Sequence, residues 1–341
     1  MNKIRFIFKR IKEMDYKSLF EMVGKLHAKT GKSRVFLFFD IIICGLKYGA
    51  GYRDYELYEF WSLSGKQRKT YVVRTTNNLI ISHCNKREFY DRLNDKIQFN
   101  TAYNEFLHRD WLDFRNASKE DFMRFIDGKK AIILKPVDQC CGIGVEKLTV
   151  SDYGSYDEIF DFLRAKPGAD LLEDYIVQHP RISEIYPNSV NTIRVMTLLG
   201  LDGNVNFIFA AIRIGNGGKV VDNINNGGIC SPVDLESGEI LFPGYDKDGN
   251  EYETHPMTGH PIKGFVIPFW KEAKDMVVRA AAVTPEIRYC GWDVAVTENG
   301  PLFVEANNMP GYDILQLPSH NPQKIGMKPL YQKFLGDEIK L

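Results

Sequence analysis

No stretch of the 341-residue chain is apolar for long enough to cross a bilayer. The most apolar run, Val35 to Leu46, also contains Asp40, and a spanning helix needs roughly 20 apolar residues. That run reads as a buried helix. Nor is one sign of charge in excess, because Lys plus Arg and Asp plus Glu both total 44. A balanced chain lacks the basic surplus of a general nucleic-acid binder, although a local basic cleft for a nucleotide is still allowed. Cysteine is sparse, and none of the six shows paired metal spacing. Cys140 and Cys141 are adjacent and poorly placed to bridge each other. Isolated cysteines of this kind read as reduced thiols, so the expected localisation is cytoplasmic. Residues 1–20 are basic but have no long apolar core and no small-residue cleavage site, which argues against a signal peptide. Weak membrane-surface contact through that basic stretch is the minor alternative. Internal repeats and low-complexity segments are absent, as are the nucleophile elbow of the serine hydrolases and the zincin helix motif.

What is present suits a globular protein of two or three layers. Hydrophobic residues make up 44% and charged residues 26%, enough to bury a sizeable core. Over residues 1–90 apolar side chains recur at three- and four-residue spacing (Phe36, Phe39, Ile43; Tyr55, Tyr58, Trp61), which predicts a mainly helical N-terminal region. From about Lys129 the period shortens to that of strands. Candidates are Ala131–Lys135, Leu171–Val177, Ile193–Leu199, Asn206–Ile214, Trp292–Thr297 and Leu302–Ala306, with helices near Tyr156–Arg164 and Pro268–Val283. Tight turn signals such as Asp202-Gly203 and Asn299-Gly300 separate the strands. Together these predict an α+β fold with largely antiparallel sheets. A Rossmann domain would need parallel βαβ units and an opening G-x-G-x-x-G, and neither is seen.

Three local patterns imitate known sites. Gly24 to Ser33 resembles a P-loop, but six residues separate its glycines where four are required, and no strand precedes it. Asp246 to Asn250 resembles a calcium loop, yet the twelfth position is Met257 instead of a glutamate. His255 and His260 lack the third ligand of a zinc site.

The strongest chemical signal runs from Gly291 to Asn308 and reads as a hairpin with one acid in each arm. Side chains alternate faces along a strand, so register decides whether the acids meet. A two-residue Asn299-Gly300 turn would oppose Asp293 to Ala306. A three-residue Glu298-Asn299-Gly300 loop, with Gly300 as a left-handed bulge residue, opposes Thr297 to Pro301 and Asp293 to Glu305. Asn307 then joins the same face. Two adjacent carboxylates in an apolar hairpin are costly without a cation between them, and such oxygen ligands suit Mg²⁺. The same alternation also fits solvated acids on a polar face.

A second signal is the strand Ala131–Lys135, ending in a lysine and followed by a loop with Gly142 and Gly144. Lysine offers a point charge to a phosphate, and glycines let backbone N–H groups approach its oxygens. An ordinary hairpin loop would look alike. The third is Leu171–Val177, a strand that turns polar at Glu173 and Asp174 and that could hold a base and ribose, or merely carry one wet face.

In this order, lysine strand with glycine loop, Glu173-to-Ile176 hinge and Asp293…Glu305-x-Asn307 hairpin, the chain resembles the ATP-grasp superfamily. Ser189 to Val195, Ala210 to Ile214, Asp222-Asn223 with Asn226 to Ile229, and Glu305 to Asn307 with Pro310-Gly311 look like its sugar-transfer-associated branch. The likeness covers about Asp95 to Leu317. It implies an ATP-grasp fold, two α+β subdomains clasping ATP, over residues 91–330, with a nucleotide-clamping part near 120–180 and a metal-binding part near 181–320. Lys96 and Lys135 match the nucleotide-contacting lysines, and Gly142 and Gly144 the loop over the phosphates. Glu173, Asp174, Tyr175 and Ile176 match the adenine hinge, and Asp293, Glu305 and Asn307 the ligands of Mg²⁺ or Mn²⁺. Arg194 and Arg213 are the candidates for stabilising the transferring phosphoryl group; the chain departs from the pattern at Gly291, where related ligases often carry an arginine, and Arg213 is one substitute for it. Arg288 is a further substitute, and Glu184 a further candidate for the ribose.

The activity so implied is ADP-forming ligation of a carboxylate to an amine through an acyl phosphate, in cell-surface polysaccharide biosynthesis. Its partners would be small-molecule or glycan-linked acids and amines, with no nucleic acid. Phosphorylation of a sugar or other hydroxyl acceptor, and a non-catalytic ATP-binding scaffold, are the alternatives.

Overall fold

The computed structural model describes residues 15–137, 139, 142–217 and 227–341. Residues 1–14, Asp138, the Cys140-Cys141 pair and the stretch holding Asp222, Asn223 and Asn226 lie outside the described residues. The chain separates into two compact units, Met1–His83 with Gly311–Leu341, and Cys84–Pro310.

The first unit is helical. Asp15 caps the helix Tyr16–Thr30 by accepting from Ser18 N, and Gly31 ends it in the left-handed conformation. The helix Arg34–Tyr48 follows. The P-loop look-alike is this helix–turn–helix: Gly24 lies inside the first helix and Gly31 caps it. Leu37, Ile41 and Cys44 pack inward on Leu19, Val23 and Leu26. Val35, Phe36, Phe39 and Ile43 are exposed, so the run expected to be a buried helix is buried along one stripe only. A helix packed on one side hides only about a third of its circumference, whatever its composition. Asp40, the one acid in that run, turns inward and accepts from Arg68 Nη1 at 2.7 Å, Arg68 Nη2 at 2.8 Å and Tyr55 Oη at 2.8 Å. Residues 311–330, expected in the second domain, pack with these helices. Gln316 exchanges two 2.8 Å hydrogen bonds with the Val72 backbone, and Tyr312 Oη donates to Asp54 at 2.6 Å. Among the described residues no helix is long and apolar enough to cross a membrane.

Among its described residues the second unit holds two antiparallel sheets, an α+β arrangement. The smaller has the order β1 (Trp111–Asp113), β4 (Leu171–Asp174), β2 (Ala131–Lys135), β3 (Glu146–Thr149). The larger runs β11 (Gly300–Asn307), β10 (Tyr289–Thr297), β5 (Thr192–Leu199), β6 (Val205–Ile214), β7 (Ile229–Pro232), β8 (Gly244–Tyr245), β9 (Glu251–Tyr252). The strongly patterned strands fall where expected. The short strands β1, β3, β8 and β9 carry too few residues for an alternation to register. The helix Trp270–Ala281 covers the back of the larger sheet, burying Met276, Val277 and Ala280 in one core with Trp292 and Phe303.

The remaining patterns have structural uses. Asp246 accepts from Asp248 N, Asn250 N and Tyr252 Oη, which makes its segment a polar turn. Buried His255 shares a 2.9 Å hydrogen bond with Gly215 O, and burial lowers its basicity. His260 approaches Glu184 at 3.7 Å, which gives that acid a surface partner. Arg288 donates to Leu199 O from Nε at 2.8 Å. Cys44, Cys84, Cys230 and Cys290 are buried thiols outside any disulfide.

Candidate active site

The centre of the site is one row of side chains across four strands. Asp293 on β10 stands opposite Glu305 on β11 and, on its other side, opposite Arg194 on β5. Arg194 pairs with Ala211 on β6, and Arg213 is two residues further along that strand, on the same face.

The expected opposition of Asp293 and Glu305 is present, but its cause differs from the one predicted. Thr297 pairs with Gly300, so only Glu298 and Asn299 form the turn, and Val296 faces Pro301. Gly300 has a φ of 115° yet stays within the ladder. The extra residue is Val304, between Phe303, which pairs with Val294, and Glu305, which pairs with Asp293. A bulge inverts the parity of everything beyond it. Without it Glu305 would lie on the face of Trp292, which is filled by stacking on Phe303 at 5.1 Å.

Electrostatics divide the two acids. Asp293 is fully buried, accepts from Arg194 Nε at 2.5 Å and Arg194 Nη2 at 3.0 Å, and forms an ion pair with Arg213 Nη2 at 2.9 Å. Burial pushes its carboxyl up, but the two guanidiniums more than offset this and hold it at about 2. Glu305 is raised above its ordinary value, first by burial and then by the Asp293 carboxylate beside it. One acid is thus firmly charged while its neighbour resists ionising. Two of the roughly four lone-pair directions of Asp293 are already taken by Arg194 N–H groups, and the Arg213 guanidinium lies 2.9 Å away. Asn307 is two residues from Glu305, and its Nδ2 is buried without a hydrogen-bond partner. Amide N and O assignments are interchangeable, so this group can present an oxygen to a cation or an N–H to an anion. Two carboxylates and an amide are oxygen donors of the kind that suit Mg²⁺, and the residues fit such an ion. Among the described residues no cluster of three or more His, Cys, Asp or Glu competes with them.

Gly291 explains where the arginine comes from. A β-carbon there would lie 3.3 Å from Arg194 Cδ and 3.1 Å from Pro310 Cβ. The bare backbone lets Arg194 cross from β5 to Asp293, supplying from the neighbouring strand a guanidinium that β10 does not carry.

This row opens onto a cavity of about 490 Å³, within the range typical of small-molecule sites. Lys96, Lys135, Gly142, Glu173, Asp174, Tyr175, Ile176, Arg194, Arg213, Asp293, Glu305 and Asn307 all line it. Gly144 is beside it in the turn after β2, at φ 72°, where a β-carbon would come within 2.6 Å of Pro136 Cγ. Lys96 starts the helix Lys96–Ala102 and donates to the carbonyls of Pro136 at 2.8 Å and Gln139 at 2.5 Å, gripping the base of the glycine loop.

Glu173, expected as a free hinge acid, has its carboxylate fully engaged. It pairs with Lys135 Nζ at 2.6 Å and Arg109 Nη2 at 3.0 Å, and accepts from Asn100 Nδ2 at 2.8 Å. Burial would raise this acid, but Arg109 and Lys135 hold it well below the usual carboxylate range. Its work is to aim Lys135. Asp174 is likewise taken, by Lys129 Nζ at 2.6 Å and Asp110 N at 2.9 Å. For a base, that leaves the backbone and the side chains of Tyr175 and Ile176.

Because Glu173 is lowered in the folded protein, its contribution is complete above its unfolded value near 4.5 and disappears as pH falls through the folded one. Acidification from pH 5 should lower Tm, and Glu173→Gln should flatten that acid limb in a pH series of thermal melts while lowering Tm at neutral pH.

Arg109 was not legible, since it lies in no periodic segment. Its buried guanidinium donates to Glu173 and to Phe303 O and Val304 O, the carbonyls of the bulge. One side chain thereby ties the lysine-aiming acid to the kink that brings Glu305 to Asp293. Arg109→Ala should destabilise the protein by about 3 kcal/mol, read as a fall in urea midpoint. Arg109→Lys should recover less than half of the loss, because a point charge cannot bridge both strands.

Comparison with known proteins bears on the fold and the family. The family model described as sugar-transfer associated ATP-grasp matches residues 162–327. That segment, just under half of the chain, is similar to the sugar-transfer associated ATP-grasp family, as the motifs implied. It contains the hinge, both arginines and the acid hairpin; Lys96, Lys135 and the glycine loop precede it. No curated protein matches the chain. Among solved structures, an L-amino acid ligase from Bacillus licheniformis is 11% identical, with a TM-score of 0.42 over 72% of this chain and 48% of its own. Biotin carboxylase from Campylobacter jejuni is 12% identical, at 0.45 over 74% and 47%. D-alanine–D-alanine ligase from Bacillus anthracis is 14% identical, at 0.40 over 83% of each chain. The chain spans about half the length of the first two.

Proposed function

We propose that this chain is an ADP-forming ATP-grasp ligase that joins a carboxylate to an amine, acting on small-molecule or glycan-linked substrates in cell-surface polysaccharide assembly. The observation that carries the reading is the Glu305–Asp293–Arg194–Arg213 row, with Asp293 fully buried, facing a cavity that Lys96 and Lys135 also line. The family description supplies the link to sugar transfer.

In this reading ATP is a substrate. The Tyr175–Ile176 segment takes the base, while Lys96, Lys135 and the backbone of the loop with Gly142 and Gly144 take the phosphates. Glu305 and Asn307, with the remaining valence of Asp293, would hold Mg²⁺. When bound, that ion neutralises phosphate charge and polarises the transferring group. Arg194 spends Nε and Nη2 on Asp293, which leaves Nη1 to face the phosphoryl group together with Arg213. A substrate carboxylate oxygen attacks the γ-phosphorus and ADP departs. The amine then attacks the acyl carbon, inorganic phosphate leaves with the former carboxylate oxygen, and the amine's proton passes to solvent. The chain supplies position and charge, the two terms on which phosphoryl transfer chiefly depends.

The test is ADP release across a panel of acid and amine pairs, with products read by mass. Amide with stoichiometric free phosphate supports the reading. A stable phosphoester replaces it with hydroxyl phosphorylation, and thermal stabilisation by Mg–ATP without turnover on any pair replaces it with a scaffold.

A further inference from the structure

The helical unit carries a feature that the reaction does not use. Phe36, Phe39 and Ile43 form an outward stripe on the helix Arg34–Tyr48, with Val35 beside them, and Phe39 is 58% and Val35 67% exposed. The preceding helix adds Phe20, 62% exposed. Its ring stacks on Phe38 at 5.5 Å, and Phe38 meets Phe39 edge-on at 5.3 Å, so the two helices present one continuous apolar patch. Lone exposed apolar residues are ordinary, but a contiguous aromatic patch is not.

Charge at the ends of the stripe is basic. Lys32 and Lys47 stand at the two ends of the stripe, with Lys32 Nζ 5.6 Å from the centre of the Phe36 ring. Asp40, the only acid on that helix, is turned into the core against Arg68. Among the described residues 15–48 there are six lysines and arginines against three acids, Asp15, Glu21 and Asp40; Lys25 and Lys29 pair with Glu56 and Glu59, while Lys32 and Lys47 stay beside the stripe. A second copy would set like charges against each other across the patch, which disfavours self-association. An apolar helix face with lysines at its ends, able to extend their stems past the rings, is the pattern of a helix lying in a membrane interface. The basic surplus complements anionic headgroups.

From this we infer that the Phe20–Phe36–Phe39–Ile43 face docks the helical unit on the surface of an anionic lipid bilayer without spanning it. The inference is independent of the proposed ligation.

The test is co-sedimentation of the full chain with vesicles of phosphatidylcholine alone and of phosphatidylcholine mixed with phosphatidylglycerol. The expected result is partitioning onto the mixed vesicles that drops about tenfold or more when salt is raised from low to molar levels. Phe36→Ser with Phe39→Ser should lower the bound fraction at least about tenfold, with an unchanged thermal melt because both rings are exposed. Lys32→Glu with Lys47→Glu should weaken binding to the mixed vesicles alone, and it carries the test should the phenylalanine pair misfold. Absence of vesicle binding, or binding unchanged in these variants, overturns the inference. So does concentration-dependent dimerisation that the phenylalanine variant abolishes while vesicles capture nothing.

Discussion

Glu305→Gln should remove substrate-dependent ADP release almost completely, by a factor on the order of 10² to 10³ in kcat, and leave the resting protein at least as stable as before. Both halves follow from its position. Glu305 is opposite a carboxylate that two arginines keep charged, and burial together with that neighbour pushes it above its ordinary value. A raised acid contributes stability below its unfolded pKa and loses it as pH rises through the folded one. Near neutrality its charge is therefore a burden in the resting protein. A neutral amide of the same shape relieves that burden, so Tm without nucleotide should hold or rise. What the amide cannot do is supply a second negative charge for a divalent ion. Thermal stabilisation by Mg–ATP should then vanish together with turnover. Undiminished ADP release in this variant would remove the acid pair from the proposed metal site.

Asp293→Ala should do the opposite to stability, although the two carboxylates are direct cross-strand neighbours. Asp293 accepts two hydrogen bonds from Arg194 and pairs with Arg213 while fully buried. Removing it leaves Arg194 and Arg213 facing each other without a counter-charge, at a cost of about 3–5 kcal/mol. For a unit of this size that corresponds to a fall in Tm of roughly 6–20 °C. Asp293→Asn keeps the shape and one acceptor and should fall between. The decisive reading is the pair of melts side by side: Glu305→Gln level or higher, Asp293→Ala far lower. A shift of less than about 2 °C for Asp293→Ala would mean that the arginines are satisfied elsewhere.

Much of this site could be read along the chain because its chemistry is local. Lys135 ends a β-branched strand, glycines follow it, and Asp293, Glu305 and Asn307 fall on alternating positions of a hairpin. Two things could not be read. That Asp293 and Glu305 share a face requires one extra residue somewhere in the hairpin, and alternation constrains only the total. Gly300 was the expected place because glycine tolerates a left-handed backbone. The structure puts the extra residue at Val304, where Arg109, far off in the chain, binds the two carbonyls that the kink turns out of the ladder. Glu173 shows the same limit. On its strand it reads as a polar hinge residue free for a ribose, yet Lys135, Arg109 and Asn100 converge on it from three separate segments.

The sequence by itself determined which elements form, from their apolar periods, and which residue types could carry phosphate, base and metal, from their order. Only the tertiary structure decided how charge is shared among them. It made Asp293 an arginine-bound anchor, left Glu305 as the reluctant acid, turned Glu173 inward to aim a lysine, and exposed one face of the most apolar helix. The physical reason is that strand and helix periods are set by neighbours along the chain. The energy of a buried charge is set by what lies within a few ångströms in space, and those partners come from segments whose sequences carry no mark of the meeting.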